Sequence, residues 1–291
     1  MASLYLTRIL PIAKGLNLPC LRPTGTERVE GTKKIMIPVI VNGAQGKMGQ
    51  EAVKAVQAAS GLELAGCFDV DNNLEEELKT HRGCVVVDFT HPSCAFQNAQ
   101  TILAAGCHGV IGTTGFQPSQ IDELAQACKS LQHGFFIAPN FAIGAVLMMR
   151  FAAEAARHME RAEIIELHHT GKADAPSGTA HKTAEMMAES RAAAGLPSFE
   201  GPDAVTNTLP GTRGGCLGGI RIHAVRMPGV LANQEVLLGA AGQILSIRHD
   251  TLDRSCFMPG VVLACRKVRS LKGLVVGLDQ LLWNESHSTH E

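Results

Sequence analysis

Aromatic residues are scarce in this chain: one Trp, one Tyr and ten Phe amount to 4% of its 291 residues. With 45% hydrophobic residues there is still enough apolar material for real cores, and the shortage of large rings suits the alanine- and valine-rich packing of α/β layers. Charge of one sign is also missing. Lys and Arg total 26 against 27 Asp and Glu, a net charge of −1 that leaves no basic footprint for nucleic acid. No apolar run approaches the ~20 residues of a membrane-spanning helix. Nine cysteines are present, but none form C-x-x-C and their spacing is scattered, so they read as reduced, small apolar residues of a cytosolic-type enzyme. Twelve histidines include no H-E-x-x-H or comparable spacing, which predicts no metal. The length admits one large or two modest domains.

What the chain does have is concentrated in two places. Residues 163–180 read EIIELHHTGKADAPSGTA. A strand-like run, Glu163 to Leu167, ends in His168 and His169; Lys172 follows, and Asp174 to Thr179 opens a helical pattern continuing to Met187. Three nitrogen bases and a helix N-terminus are thereby gathered, equipment for gripping an anion and moving a proton. Histidine exchanges protons near neutrality, its ordinary pKa being about 6.5. Lysine donates easily only when desolvation or a neighbouring cation lowers its pKa. Glu166 and Asp174 are candidates for orienting these bases.

The second place is upstream. The β-branched run Ile35 to Asn42 leads directly into Gly43, Ala44, Gln45, Gly46, Lys47, Met48 and Gly49, and a helix-forming stretch follows from Glu51 to Ala59. Strand, glycine turn and helix let backbone N–H groups approach a pyrophosphate. The spacing is G-x-x-G-x-x-G, with Gln45 where the familiar fingerprint has its middle glycine; the alternative is a tight turn with no ligand. Another strand, Leu62 to Phe68, ends at Asp69, twenty residues after Gly49. An acid there suits ribose hydroxyls and repels a 2′-phosphate, a mild preference for NADH, unless it is simply a solvated strand-end aspartate.

Five segments occur in a telling order: GAQGKMG at 43–49, VVVDFTHP at 85–92, GTTGF at 112–116, APNFAIG at 138–144 and ELHHTGKADAPSGTA at 166–180. On these the chain resembles the 4-hydroxy-tetrahydrodipicolinate reductase (dihydrodipicolinate reductase) family of the bacterial lysine pathway, from about residue 36 to near residue 283. The resemblance implies a Rossmann-like parallel-sheet dinucleotide domain over 36–141. It further implies an α+β substrate-binding and oligomerisation domain with an open mixed sheet over 142–257, a C-terminal helix over 258–285 returning to the first domain, and a homotetramer. The implied reaction is hydride transfer from NADH or NADPH to a small dicarboxylate substrate, followed by protonation. His168 and Lys172 match the family's acid/base pair, and His169, Gly178 and Thr179 its substrate clamp, where a helix N-terminus worth about half an elementary charge faces a carboxylate. Gly43, Ala44, Gln45, Gly46, Lys47, Met48, Asp69, Gly112, Thr113, Thr114, Ala138, Pro139, Asn140 and Phe141 match its cofactor-binding positions.

Two features depart from the family's pattern. Only fifteen residues separate Asp69 from Val85, room for a brief helix from Leu74 to His81 but not for the additional strand and longer loop usual in the family. The adenine side of the site is therefore trimmed, which keeps open a catalytically weakened, reductase-like binding module. A different Rossmann oxidoreductase is the other alternative, opposed by the HHxxKxDAPSGT run. Residues 1–35 hold no acid before Glu27 and carry Arg8, Lys14 and Arg22 among apolar residues, as in a plastid transit peptide; a misplaced start before Met36 fits equally, with the enzyme then cytoplasmic. Pro259 to Leu282 reads as an amphipathic helix, and IRIHAVRM, EVLLGA and QILSIRHD as strands of the open sheet, whose bare face invites association with other copies.

Overall fold

A computed structural model describes residues 36–199 and 209–283. The expectation for residues 1–35 lies outside them. The first half alternates strand and helix: β1 (Ile37–Asn42), α1 (Lys47–Ala58), β2 (Leu62–Phe68), α2 (Leu74–Leu78), β3 (Val85–Asp88), α3 (Pro92–Ala104), β4 (His108–Ile111), α4 (Pro118–Leu131) and β5 (Phe135–Ile137). Every residue of β3 and all of β5 is buried, as expected of short β-branched and aromatic runs covered on both faces. There follow α5 (Ile143–Ala155), β6 (Arg161–His168), α6 (Gly178–Ala193), β7 (Gly215–Leu217), β8 (Ile220–Arg226), β9 (Ala232–Ala240), β10 (Gln243–Thr251), α7 (Met258–Lys267), β11 (Leu274–Val276) and α8 (Leu278–Trp283).

Two sheets result. The six-stranded one runs β11-β5-β4-β3-β1-β2 and is parallel throughout. One face is closed by α1 and α7, with Ala52, Val56, Val261, Ala264 and Cys265 buried against Val39, Val41, Val85 and Val87. The opposite face packs Ala99, Ile102 and Leu103 of α3 and Leu124 and Cys128 of α4 on Ile40, Val86 and Ile111. The five-stranded sheet runs β10-β9-β6-β8-β7 and is mixed, β6 being parallel to β8 and antiparallel to β9. Helices α5 and α6 cover one side of it through Met148, Ala152, Ala184 and Met187 packed on Ile164, Ile222, Val236 and Leu238. Its other side carries ion pairs: Glu163 with Arg213 and His223, and Arg248 with Glu235 and Asp250.

The closing segment corrects the expectation of one amphipathic helix. A helix, a three-residue strand and a second short helix occupy it, and β11 pairs with β5 through Leu274↔Phe135 and Val276↔Ile137. Three apolar residues are too few for periodicity to tell strand from helix; the free edge of β5 decides it. The brief helix expected from Leu74 to His81 ends earlier, at Leu78, its first turn capped by the Asn73 side chain. No helix among the described residues is long and apolar enough to cross a membrane.

Candidate functional site

The glycine turn is shaped by close backbone packing. Gly43 has φ +80°, and a Cβ there would sit 2.5 Å from the Phe89 carbonyl oxygen; one on Gly49 would sit 2.0 Å from that of Gly43. Gly46, the cap of α1, has only the Gly43 carbonyl at 3.3 Å and Phe89 O at 4.0 Å, and among the described residues no side chain caps this helix. The turn thus leaves the α1 N-terminus open to an anion. Asp69 is tied into the same turn: Oδ2 accepts the Gln45 N–H at 2.7 Å and Oδ1 the Val70 N–H at 2.9 Å. Gly43, Gly46 and Asp69 share a cleft of about 440 Å³ with Phe89, Thr90 and Asn98.

Behind it lies a polar network with no counterpart in the sequence reading. Asp88, wholly buried at the end of β3, accepts hydrogen bonds from Asn42 Nδ2 (2.8 Å), Asn98 Nδ2 (3.0 Å), Thr90 Oγ1 (2.8 Å), Thr90 N (3.2 Å) and Thr113 Oγ1 (2.9 Å). The Thr113 hydroxyl also accepts the Thr90 N–H. Its side chain is therefore spent on fixing the carboxyl ends of β1, β3 and β4, and the backbone of Gly112, Thr113 and Thr114 is what can face a ligand. The Ala138 and Phe141 side chains are likewise buried in the core. Phe89 stands edge-on to Phe141, their centroids 5.9 Å apart.

The histidine-bearing strand β6 ends at a second, smaller pocket of about 200 Å³. It brings together Pro139 and Asn140 from the parallel sheet, His168, and Ser177 and Thr179 from the start of α6. Asn140 joins the two sheets' ends directly, its Nδ2 lying 3.3 Å from Thr179 Oγ1 while its Oδ1 accepts the Ala142 N–H. His169, Lys172 and Gly178 are not among the pocket's lining residues. His169 is exposed, and Lys172 Nζ donates to Asp174 Oδ1 at 2.7 Å. Lys47 lines an adjoining cleft with Gln50, Asn233 and Arg254. Ala44 and Gln45 of the turn and Met48 in the first turn of α1 do not line these pockets.

Glu166 organises the loop. It is fully buried, and its carboxylate accepts His168 Nδ1 at 2.6 Å, Arg226 NH1 and NH2 at 2.8 Å each, and the Ser177 N–H at 3.0 Å. Burial alone would raise this carboxyl, but the hydrogen bonds from Arg226, His168 and Ser177 outweigh it and hold it below its ordinary value. An ionised carboxylate has no hydrogen to give, so Nδ1 of His168 carries one. Burial pushes the His168 imidazole below its ordinary pKa; the charges of Lys172 and Arg226 act in the same direction, against the opposing pull of Glu166. Arg226 also donates to the Asp174 carbonyl at 2.7 Å.

Residues that sequence reasoning missed come from β9 and β10: Asn233, Gln234, His249 and Thr251 line the pocket beside His168. No motif marks them. They reach it because β9 pairs antiparallel with β6 in a register that sets Gln234 opposite Glu166 and Ala232 opposite His168. Among the described residues no group of three or more His, Cys, Asp or Glu is placed to hold a metal ion.

Comparison with known proteins places the described fold in one family. The family model for the dihydrodipicolinate reductase N-terminus matches residues 37–141, and that for the C-terminus matches residues 144–282. A 4-hydroxy-tetrahydrodipicolinate reductase of Synechococcus elongatus is 46% identical over 276 residues, covering 84% of this chain and 98% of that protein. One of Nocardia farcinica is 50% identical over 247 residues, with the same 84% and 98% coverage. Among solved structures, the dipicolinate-bound dihydrodipicolinate reductase from Paenisporosarcina sp. TG-14 aligns at 40% identity with a TM-score of 0.75, covering 84% of this chain and 99% of that one.

Proposed function

The chain belongs to the dihydrodipicolinate reductase family, and from that premise we propose that it reduces 4-hydroxy-tetrahydrodipicolinate to tetrahydrodipicolinate with NADH or NADPH, on the diaminopimelate route to lysine. The observation that carries this is one pocket in which His168, Thr179 and Asn140 meet at the joint ends of the two sheets. The residues fit a dinucleotide: a Cβ on Gly43 or Gly49 would strike backbone, whereas the α1 N-terminus beyond Gly46 is uncapped. Backbone N–H groups of Lys47 and Met48 are placed for the pyrophosphate, with Gly43, Ala44, Gln45 and Gly46 forming the turn and Asp69 facing the adenosine ribose. Gly112, Thr113, Thr114, Ala138, Pro139, Asn140 and Phe141 wall the nicotinamide end, largely through backbone. When bound, the nucleotide supplies the hydride.

The chain's own residues then hold the substrate and supply the proton. The N–H groups of Gly178 and Thr179 open α6 and take one carboxylate, with His169 closing on the substrate from the exposed side. His168 Nε2 is the ring nitrogen left for the substrate, since Nδ1 is engaged by Glu166. It delivers the proton, and Lys172, held by Asp174, is its partner in that step. The mild NADH preference rests on the Asp69 charge, with Lys79 the first basic residue after it. The segment boundaries 36–141, 142–257 and 258–285 and assembly as a homotetramer belong to the same reading. The reductase-named relatives, together with the retained bases, disfavour the binding-module alternative.

The test is a coupled assay. A separate synthase condenses pyruvate with aspartate semialdehyde, this protein is added, and nicotinamide absorbance is followed with each nucleotide. Oxidation that depends on the synthase product is the expected result. Folded protein that binds NADH without oxidising it would overturn the substrate assignment.

A further inference from the structure

The geometry points to Glu166 as the positioning residue that fixes the tautomer of His168 and sets the pH range over which that imidazole holds its proton, with Arg226 as the opposing counterweight. This rests on the reading that His168 is the proton donor. Glu166 and His168 lie two residues apart on β6, so their side chains leave the same face of the sheet. A carboxylate taken wholly out of water needs its lone pairs filled. Here four donor groups fill them: both terminal nitrogens of Arg226, the Ser177 N–H and His168 Nδ1, the last being the shortest contact at 2.6 Å.

A bidentate Arg–Glu pair would be satisfied without an imidazole. The third and fourth contacts are what couple it to the site. Through Ser177 the carboxylate holds the residue that caps α6, whose hydroxyl accepts the Ala180 N–H at 3.2 Å. Through Nδ1 it forces the lone pair of neutral His168 onto Nε2, the opposite of the tautomer that imidazole prefers in water. One buried side chain thus aligns the substrate clamp and the acid that faces it.

The ionisable groups around His168 divide by sign. Glu166 from its own strand favours the protonated ring, while Lys172 from the following loop and Arg226 from β8 disfavour it. Asp174 bonds Lys172 on its exposed side, and His249 of β10 shares the pocket; α5 brings Ala145 and Met148, and α6 with its cap brings Thr179 and Ser177, none of them ionisable. Removing Glu166 or Arg226 must therefore move the His168 titration in opposite directions. A residue that merely supports the fold has no such sign.

The first measurement uses the unaltered protein. Nitrogen NMR of ¹⁵N-imidazole-labelled protein, with His168 assigned by a His168→Gln comparison, should find neutral His168 protonated at Nδ1; protonation at Nε2 would overturn the inference whatever the variants do. The second is kcat against pH in the coupled assay. Because a donor must be protonated, the rate falls as pH rises through the His168 pKa. Glu166→Gln should move that fall to lower pH, by about one to three pH units for a contacting charge, and Arg226→Gln should move it to higher pH. A loss of kcat with the limb unmoved, or shifts of the same sign, would reduce Glu166 to a structural role. Unaltered protein that never oxidises NADH in the assay would fail the functional reading instead, while the NMR result still decides the tautomer.

Discussion

The two ends of the site are built from different materials. At the carboxyl edge of the parallel sheet the proposed cofactor end is a turn shaped by close backbone approach at Gly43 and Gly49, with Asp88, Asn42 and Thr113 consumed in bracing one another. At the end of β6 side chains carry the site: His168, Asn140 and Thr179 line the pocket, while the ionisable Glu166, Arg226 and Lys172, each paired, stand around them. A nucleotide's phosphates are common to many reactions and are gripped well by fixed N–H dipoles. A proton transfer needs a group whose charge changes, and only side chains supply that. Substitutions should therefore fail by collision and lost bracing on one side, and by lost charge on the other.

The sharpest way to break this comparison is Lys172→Ala or His168→Ala. Each should lower kcat by about 10²- to 10⁴-fold, the usual worth of a positioned acid or base, with the NADH Kd from fluorescence titration changed by less than about twofold, because neither residue lines the cleft of Gly43 and Asp69. A variant that keeps wild-type turnover, or loses NADH with its turnover, would erase the division. Next in size is Asp88→Ala. It strands donors on Asn42, Asn98, Thr90 and Thr113 inside the protein, and at about 1–3 kcal/mol for an orphaned buried group the thermal midpoint should drop by several degrees. Unchanged stability would mean that Asp88 braces nothing.

Gly43→Ala tests the backbone end. Its φ of +80° and the 2.5 Å approach to Phe89 O leave no place for a methyl group. Strain of about 1–3 kcal/mol is expected from the dihedral alone, so NADH affinity should weaken by tenfold or more while the pH profile of the remaining activity keeps its shape. A changed profile would show the two ends to be coupled.

This division also explains what the sequence could disclose. Strands β1 and β3 announce themselves as β-branched runs, and the glycines and bases by their spacing. Glu166 sits two residues from His168 and could be suspected. Arg226 is sixty positions further along, and only the parallel pairing of β6 with β8, Glu166↔Ala224 and His168↔Arg226, brings it beside them. Asn233, Gln234 and His249 arrive the same way through β9 and β10. Strand β11 was hidden because three residues carry no periodicity, and a partner's free edge made them a strand. Local chemistry was legible; whatever depended on sheet register was not.

The smallest effect separates two duties of one side chain. Asp69 is read as the group that repels a 2′-phosphate, yet its Oδ2 also holds the Gln45 N–H at 2.7 Å and so helps shape the glycine turn. Asp69→Ala removes both functions and should weaken NADH and NADPH together. Asp69→Asn keeps an acceptor for the Gln45 N–H and deletes the charge, and loses the Val70 contact. If the charge discriminates, the ratio of kcat/KM for NADPH over NADH should rise by about tenfold in the Asn variant, equivalent to roughly 1.4 kcal/mol, with NADH itself little affected. A ratio that stays put in Asn while both nucleotides suffer in Ala would make Asp69 another brace, and the dinucleotide end would then discriminate by backbone shape with no charge involved.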